Sequence, residues 1–325
     1  MSTSDGAGRA APPIDDALSG PPPVRCAGLT RRFGETVAVD GIDLEVRPQE
    51  IFGLVGPDGA GKTTLLRMLC GALTPDAGSA AVAGVDVVRD PEGVKARIGY
   101  MPQRFSLYGD LTVEENLRLY ADIYAVPPGA WAARAQRLLG GFRLDPFRNR
   151  PAQALSGGMK QKLALACTLI HQPQVLFLDE PTTGVDPVSR RQFWRILYDI
   201  NRAGITILVS TPYMDEAERA SRVALMDRGR LVATDTPDAL RARIGGEILE
   251  IVAEPRAQAR RALRAHPLVH SLDVFGDRFH VLTPTGDAAA TLQAALAEAG
   301  VAVASVRVIR PSLEDVFVAH LTGRT

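Results

Sequence analysis

The chain has 325 residues, and its 37 lysines and arginines balance 37 aspartates and glutamates. This zero net charge provides no general attraction to nucleic acid or an anionic membrane, so we expect no nucleic-acid partner. No apolar run reaches the roughly 20 residues of a membrane-spanning helix, and the first residues carry no secretory signal. The three cysteines, Cys26, Cys70 and Cys167, are too far apart for a metal site and predict core packing in a reducing compartment.

Residues 1–23 are rich in Gly, Ala, Pro and Ser, which predicts a disordered tail. Two strands follow, over 24–29 and 37–46, around a turn at 31–34. Phe33 lies in this β-rich segment ahead of the glycine-rich loop. Its ring could stack on an adenine, or it could be an ordinary aromatic residue of a sheet, and its position favours neither reading.

The apolar run 51–55 predicts a strand that leads into a sequence of the form G-x-x-x-x-G-K-T, followed by a leucine-rich helix. Glycines allow backbone N–H groups to surround a polyphosphate, and the helix start adds its own unpaired N–H groups. Lys62 would place a charge on the outer phosphates, and the Thr63 hydroxyl would ligate Mg²⁺. The predicted phosphate-binding residues are Gly56, Pro57, Asp58, Gly59, Ala60, Gly61, Lys62, Thr63 and Thr64.

A strand over 98–103 ends in Gln103, whose amide could reach a metal ion or a water molecule, or could belong to an ordinary loop. Thr112–Glu115 has the form of a capping box, and apolar residues follow at helical spacing. We therefore predict a mostly helical block from about residue 104 to residue 170, inserted between two strand-rich parts.

Near the end of this block, Leu155 precedes Ser156, Gly157 and Gly158 at the start of a predicted helix. A serine and two glycines at a helix start can bind an anion. Without other motifs, a plain serine N-cap is the commoner explanation.

The run 175–178 is wholly apolar and predicts a strand buried on both faces, which ends in Asp179 and Glu180. Ligands bind at the carboxyl ends of strands in open α/β sheets. Asp179 fits contact with Mg²⁺, and Glu180 fits a base that positions an attacking water. Asp186 before Pro187 is a good N-cap for the next helix.

After the glycine pair 245–246, the predicted elements follow a β-α-β-β-α-β order, as in ferredoxin-like domains. We place a domain boundary there and predict a small accessory domain over 246–325, with an interaction or regulatory role. Its histidines, His266, His270 and His280, are irregularly spaced, which favours ordinary core or surface positions over metal binding.

Taken together, these motifs resemble the nucleotide-binding subunit of an ATP-binding cassette (ABC) transporter over about residues 24–240. The Leu-Ser-Gly-Gly run between Gln103 and Asp179 is the most specific mark. The end of the chain resembles the branch that serves drug and lipid exporters of the daunorubicin-resistance type. The implied fold class is α/β: a phosphate-loop NTPase core over 24–245 with a β-rich subdomain and an inserted helical subdomain, then a small α+β ferredoxin-like domain.

The resemblance implies ATP as ligand, Mg²⁺ as cofactor and a role for each motif. Phe33 would stack on adenine, Gln103 would contact Mg²⁺ and take part in catalysis with Lys62, and Asp186 would lie beside the nucleotide. Two cassettes, identical or different, would close head to tail, so that Ser156, Gly157 and Gly158 of one face the phosphates held by the other. A separate membrane-spanning permease would place the pair at the cytoplasmic face of the membrane.

Two departures from the family pattern stand out. Pro212 occupies the place of the usual histidine after the strand that follows Glu180, where it would suit the first position of a helix. Asp58 stands where a neutral polar residue is usual, and its charge would repel phosphates. We therefore expect a slow ATPase in a transporter. The alternatives are an ATP-dependent regulatory clamp with impaired hydrolysis and a soluble ABC ATPase acting on ribosomes.

Overall fold

The computed structural model describes residues 21–104, 107–284 and 286–321. The predicted tail therefore lies outside the described residues, apart from the three prolines that precede the first strand. The described chain contains three sheets, eleven α-helices and two short 3-10 helices over 145–147 and 152–154.

A six-stranded sheet forms the centre of residues 24–245, the predicted nucleotide-binding part, in the order β10-β9-β3-β8-β7-β6. All neighbouring strands are parallel except the hairpin of β9 and β10. Every residue of β3, β7 and β8 is buried, as expected for strands covered on both faces. The strands are β3 (Ile51–Val55), β6 (Ile98–Met101), β7 (Val175–Asp179), β8 (Thr206–Thr211), β9 (Arg222–Asp227) and β10 (Arg230–Asp235). Their common direction puts the carboxyl ends of β3, β7 and β8 at one edge.

A second sheet is antiparallel, in the order β2-β1-β4-β5. Its strands are β1 (Val24–Phe33), β2 (Thr36–Val46), β4 (Ala77–Val82) and β5 (Val85–Asp86). The predicted turn at 31–34 was wrong, because β1 continues to Phe33 and the turn consists of Gly34 and Glu35. Arg31 explains the difference: it pairs with Val39 across the hairpin, so the strand extends beyond its apolar part.

The inserted block contains α3 (Val113–Ile123), α4 (Pro128–Gly141) and α5 (Gly157–Leu169). The capping box at the start of α3 is confirmed: Thr112 Oγ1 accepts from the Glu115 N–H at 3.2 Å, and the Glu115 carboxylate accepts from the Thr112 N–H at 2.8 Å. The remaining helices of the nucleotide-binding part are α1 (Lys62–Leu69), α2 (Pro91–Lys95), α6 (Pro187–Arg202), α7 (Met214–Ala217) and α8 (Pro237–Ala242).

The C-terminal part has the predicted order of elements and an antiparallel sheet in the order β12-β13-β11-β14. The first strand thus lies between the third and the fourth, as in ferredoxin-like domains. The elements are β11 (Glu247–Glu254), α9 (Arg256–Ala265), β12 (Ser271–Phe275), β13 (Arg278–Thr283), α10 (Ala288–Glu298), β14 (Ala302–Ile309) and α11 (Leu313–Leu321).

Helix α11 returns to the nucleotide-binding part and packs against α7 and α8. Leu313 and Val316 of α11 belong to the same buried apolar cluster as Ala217 of α7 and Leu240 of α8. The C-terminal part is therefore attached to the helix that follows β8, close to the proposed nucleotide site.

All three cysteines are buried and free, as predicted for core residues. Burial raises the pKa of Cys26 to about 12 and also raises the pKa values of Cys70 and Cys167. None of the helices formed by the described residues combines the length and hydrophobicity that crossing a bilayer requires.

Candidate functional site

The loop between β3 and α1 runs from Gly56 to Gly61 and approaches neighbouring backbone closely. A Cβ atom on Gly56 would lie 2.1 Å from the carbonyl oxygen of Met226, and one on Gly61 would lie 2.2 Å from that of Ala38. Gly61 also has a φ of 105°, a conformation that L side chains rarely adopt. These two positions therefore require glycine. Pro57, Asp58 and Gly59, at the tip of the loop, are exposed.

Lys62 starts α1, and its side chain turns back over the loop. Its Nζ donates to the carbonyl oxygens of Gly56 at 2.8 Å and Pro57 at 3.0 Å. The same nitrogen lies 3.3 Å from a carboxylate oxygen of Glu180, and both side chains are less than a tenth exposed. The ion pair of Lys62 and Glu180 thus connects the loop to the residue that follows β7.

Asp179, the last residue of β7, is fully buried beside the next residue of α1. Its Oδ1 accepts from the hydroxyl of Thr63 at 3.1 Å and from that of Ser210 on β8 at 2.7 Å. Its Oδ2 is buried and accepts no hydrogen bond from any residue that the structure describes. A carboxylate oxygen without a partner, next to a threonine hydroxyl, is a donor set that suits Mg²⁺.

Glu180 follows at once and has a positive φ of 48°. Its N–H donates to the Ser210 hydroxyl at 3.1 Å, and its carboxylate accepts from Gln103 Nε2 at 2.9 Å. Thr183 donates to the same oxygen as Gln103, at 3.4 Å. Left-handed backbone outside glycine is strained, by about 1–3 kcal/mol, and is frequent at functional sites.

The Leu-Ser-Gly-Gly run forms the start of α5, where Ser156 is the N-cap and accepts from the Met159 N–H at 3.4 Å. Ser156 and Gly157 are exposed. A Cβ on Gly158 would lie 2.6 Å from the Ser189 hydroxyl of α6, so the starts of α5 and α6 are in close contact. Asp186 caps α6, as predicted, by accepting from Val188 and Ser189 N–H groups.

Phe33 lies at the end of β1 and is half exposed. The guanidinium of Arg31 lies 5.0 Å from the centre of its ring. An exposed aromatic ring can offer a face to an adenine.

Comparisons with known proteins identify the cassette. Residues 39–183 match the family described as ABC transporter, and residues 236–321 match the C-terminal domain of ATP-binding proteins like DrrA1-3. The chain is 39% identical to the daunorubicin resistance ATP-binding protein DrrA3 of Streptomyces coeruleorubidus, over 91% of this chain and 94% of that protein. The chain belongs to the family of ABC transporter ATP-binding proteins.

The cassette is also 45% identical to the probable multidrug ABC transporter ATP-binding protein YbhF of Escherichia coli (strain K12), over 66% of this chain. The match spans only 37% of that relative's length. Among solved structures, one described as an ATP binding subunit of an ABC transporter superposes with a TM-score of 0.62 at 29% identity, over 68% of this chain and 93% of that one. The predicted phosphate-loop α/β fold is confirmed.

Members of this family are in general ATPases that dimerise and work with membrane permeases. The related proteins do not favour either alternative function, the regulatory clamp or the ribosome factor. The match to the C-terminal domain begins at residue 236. The domain boundary expected at the glycine pair 245–246 stays a prediction.

The cassette departs from one expectation at Pro212, which is not the first residue of a helix. Helix α7 begins two residues later at Met214, with Tyr213 as its N-cap. The Tyr213 N–H donates to the Thr211 hydroxyl at 3.0 Å, and the chain bends at Pro212 between these two residues.

Glu216, which no sequence pattern singled out, is fully buried beside this segment. Its carboxylate accepts hydrogen bonds from Thr182 and Thr211 and forms an ion pair with Arg190. An acidic residue in a short segment rich in other acids carries no signal of burial, so the pattern could not single it out.

Proposed function

We propose that this cassette binds and hydrolyses ATP to power the export of a drug-like or lipid-like small molecule through a separate membrane permease. The observation that carries the proposal is the convergence of Lys62, Thr63, Asp179, Glu180 and Gln103 at one edge of the central sheet. The names of the relatives support the export of drugs.

In this proposal the loop 56–61 and the start of α1 bind the phosphates. The Lys62 ammonium, which now donates to two loop carbonyls, would exchange one of them for a phosphate oxygen. Asp58 lies at the exposed tip, so its carboxylate is hydrated and repels the nucleotide less than a buried acid would.

Mg²⁺ would be held by the Thr63 hydroxyl and Asp179. The side chain of Gln103, which donates to Glu180, would supply a further oxygen to the ion. The free Oδ2 of Asp179 is the observation that fits a cation here. When bound, Mg²⁺ neutralises charge on the transferring phosphate. Ser210 and Thr63 hold the other oxygen of Asp179 and so fix the direction of this carboxylate.

Glu180 would accept a hydrogen bond from the attacking water and orient it. Gln103 and Thr183 bind one of its oxygens, while the other faces Lys62. This arrangement holds the carboxylate in one orientation, which general-base catalysis and water positioning require.

A second cassette would complete the site. Ser156 and Gly157 are exposed at the start of α5, where unpaired N–H groups can meet a phosphate held by a partner. Phe33 would stack on the adenine, and Asp186, which caps α6 next to Gly158, would position the contact between the two copies. The permease would hold the pair at the cytoplasmic face of the membrane.

Phosphate release by the purified chain tests the proposal. We expect Glu180→Gln to lower the rate of hydrolysis at least about 100-fold with nucleotide affinity retained, and Lys62→Ala to weaken the binding of Mg-ATP. Calorimetry measures the affinity. Unchanged binding in the Lys62 variant, or unchanged turnover in the Glu180 variant, would contradict this assignment.

A further inference from the structure

Among the described residues, Glu216 of α7 is the most deeply buried carboxylate outside the proposed catalytic groups, with no exposed surface. It accepts from the Thr182 hydroxyl at 2.6 and 2.8 Å and from the Thr211 hydroxyl at 3.1 Å. Arg190 Nε of α6 lies 3.2 Å away. Both threonines are 1% exposed, so water does not compete for these bonds.

These partners belong to the two segments that frame the site. Thr182 stands two residues after Glu180, and Thr211 follows Ser210, whose hydroxyl contacts both Asp179 and the Glu180 N–H. One carboxylate therefore joins the segment after β7 to the carboxyl end of β8. A shift of either segment would move Glu180 relative to the phosphate loop.

The same ion pair reaches the segment that carries the proline. The Arg190 guanidinium lies 4.6 Å from the centre of the Tyr213 ring, and the Tyr213 N–H is bound to Thr211. Pro212 itself offers neither an N–H nor a side-chain donor. The position of this segment thus depends on Thr211 and Tyr213, the neighbours of Pro212. Thr211 donates to Glu216, and Tyr213 packs on the arginine that pairs with Glu216.

Stability alone is a poor explanation for this arrangement. Burial raises the pKa of Glu216, although hydrogen bonds from Thr182 and the charge of Arg190 act in the opposite direction. Replacing a buried ion pair by apolar residues is often neutral or stabilising. What apolar residues could not supply is a fixed orientation of two separate loops.

We propose that Glu216 is a positioning residue for ATP hydrolysis, which fixes the loop that carries Glu180 against the segment Thr211–Tyr213. This inference rests on the proposed ATPase function. It also gives the C-terminal part a route to the site, since α11 packs on the helix that carries Glu216.

The test compares Glu216→Gln with Glu50→Gln, which removes another buried carboxylate that has an arginine partner. Glu50 is 5% exposed, pairs with Arg222 at 3.3 Å and lies just before β3, at the end of that strand opposite the phosphate loop. We expect Glu216→Gln to lower kcat by about 10- to 100-fold with the Kd for Mg-ATP within about twofold. Glu50→Gln should leave both values near those of the parent, per folded protein.

Hydroxyl removal and rescue provide a second measurement in case Glu216→Gln folds poorly. We expect Thr182→Val to lower kcat with little effect on Kd, and Thr182→Ser, which keeps the hydroxyl, to restore it. Equal kcat values for the Glu216 and Glu50 variants, or for the valine and serine variants, would overturn the proposal. A parent whose phosphate release does not depend on Glu180 would instead refute the ATPase function itself.

Discussion

Gly61 shows at the scale of one residue how the phosphate loop depends on the absence of a side chain. The residue combines a positive φ with a Cβ position that overlaps the carbonyl oxygen of Ala38. Gly84, in the turn between β4 and β5, has a φ of 77° and open space around its Cβ position. An alanine at Gly84 would therefore lose stability through backbone strain alone, whereas an alanine at Gly61 would lose it through strain and steric overlap together.

We expect Gly84→Ala to lower the free energy of unfolding by about 1–3 kcal/mol, the cost of the left-handed backbone alone. Gly61→Ala should lower it further and weaken the binding of Mg-ATP, because the loop must move away from β2. Urea unfolding and calorimetry measure the two quantities. Equal losses of stability in both variants would show that the loop tolerates the displacement.

Pro212 raises a separate question at the same scale, because it cannot donate a side-chain hydrogen bond to a phosphate. If the missing donor limits the reaction, Pro212→His should increase the single-turnover rate, by up to about 100-fold for one added donor. Pro212→Ala provides the control for relief of backbone restriction. A histidine variant no faster than the alanine variant would show that the histidine is not the limit.

At the scale of elements, the start of α11 is held by polar contacts around Asp315. Its carboxylate accepts from the N–H and the hydroxyl of Ser312, both at 2.7 Å, and lies 3.0 Å from His280 Nδ1 of β13. Burial acts to raise the pKa of Asp315, but hydrogen bonds from His280 and Ser312 outweigh it and leave the pKa lowered. These contacts of Asp315 thus join α11 to the C-terminal sheet.

A lowered pKa in the folded state means that the contribution of Asp315 is complete above its ordinary pKa of 3.8 and is lost as the pH falls through the lower folded-state value. We expect Asp315→Asn to cost about 1–3 kcal/mol at pH 7. The difference from the parent should shrink below pH 3.8, in unfolding experiments at several pH values.

The exposed Asp277 serves as the control for this pH series, since its only ion pair among the described residues is a 3.6 Å contact with Arg278. Asp277→Asn should change stability little at any of these pH values. A penalty for Asp315→Asn that is the same at pH 7 and pH 3 would contradict a stabilising role of the ionised Asp315 carboxylate.

At the scale of the whole molecule, we expect a second cassette to complete the proposed site, because Ser156 caps α5 at an exposed position where a partner can meet it. In the Glu180→Gln background, Mg-ATP should therefore shift the chain from monomer to dimer. Ser156→Arg should prevent the shift, since a bulky side chain would block the start of α5. Light scattering coupled to gel filtration measures the oligomeric state.

Ser305→Arg is the matched control, at an exposed position on β14 of the C-terminal sheet. It should dimerise like the parent. Dimerisation of the Ser156 variant, or its loss in both variants, would contradict an interface formed through the start of α5.

Local patterns alone predicted the phosphate loop, the buried strand ending in Asp179, the capping box of α3 and the order of elements in the C-terminal part. Each depends on neighbours within a few residues, where glycine, capping residues and periodic apolar residues act directly. The end of β1 was less predictable, because Arg31 is held in the strand by its pairing with Val39 rather than by its own preference.

The sequence by itself determined the kind of site, since phosphate binding at a strand-to-helix loop needs particular residue types at short spacing. Only the tertiary structure decided that Gln103, Lys62 and Glu180 meet, and that the unremarkable Glu216 joins Thr182 to Thr211. The physical reason is that parallel strands bring distant residues to one edge of a sheet, while burial gives a single carboxylate hydrogen bonds for which water does not compete.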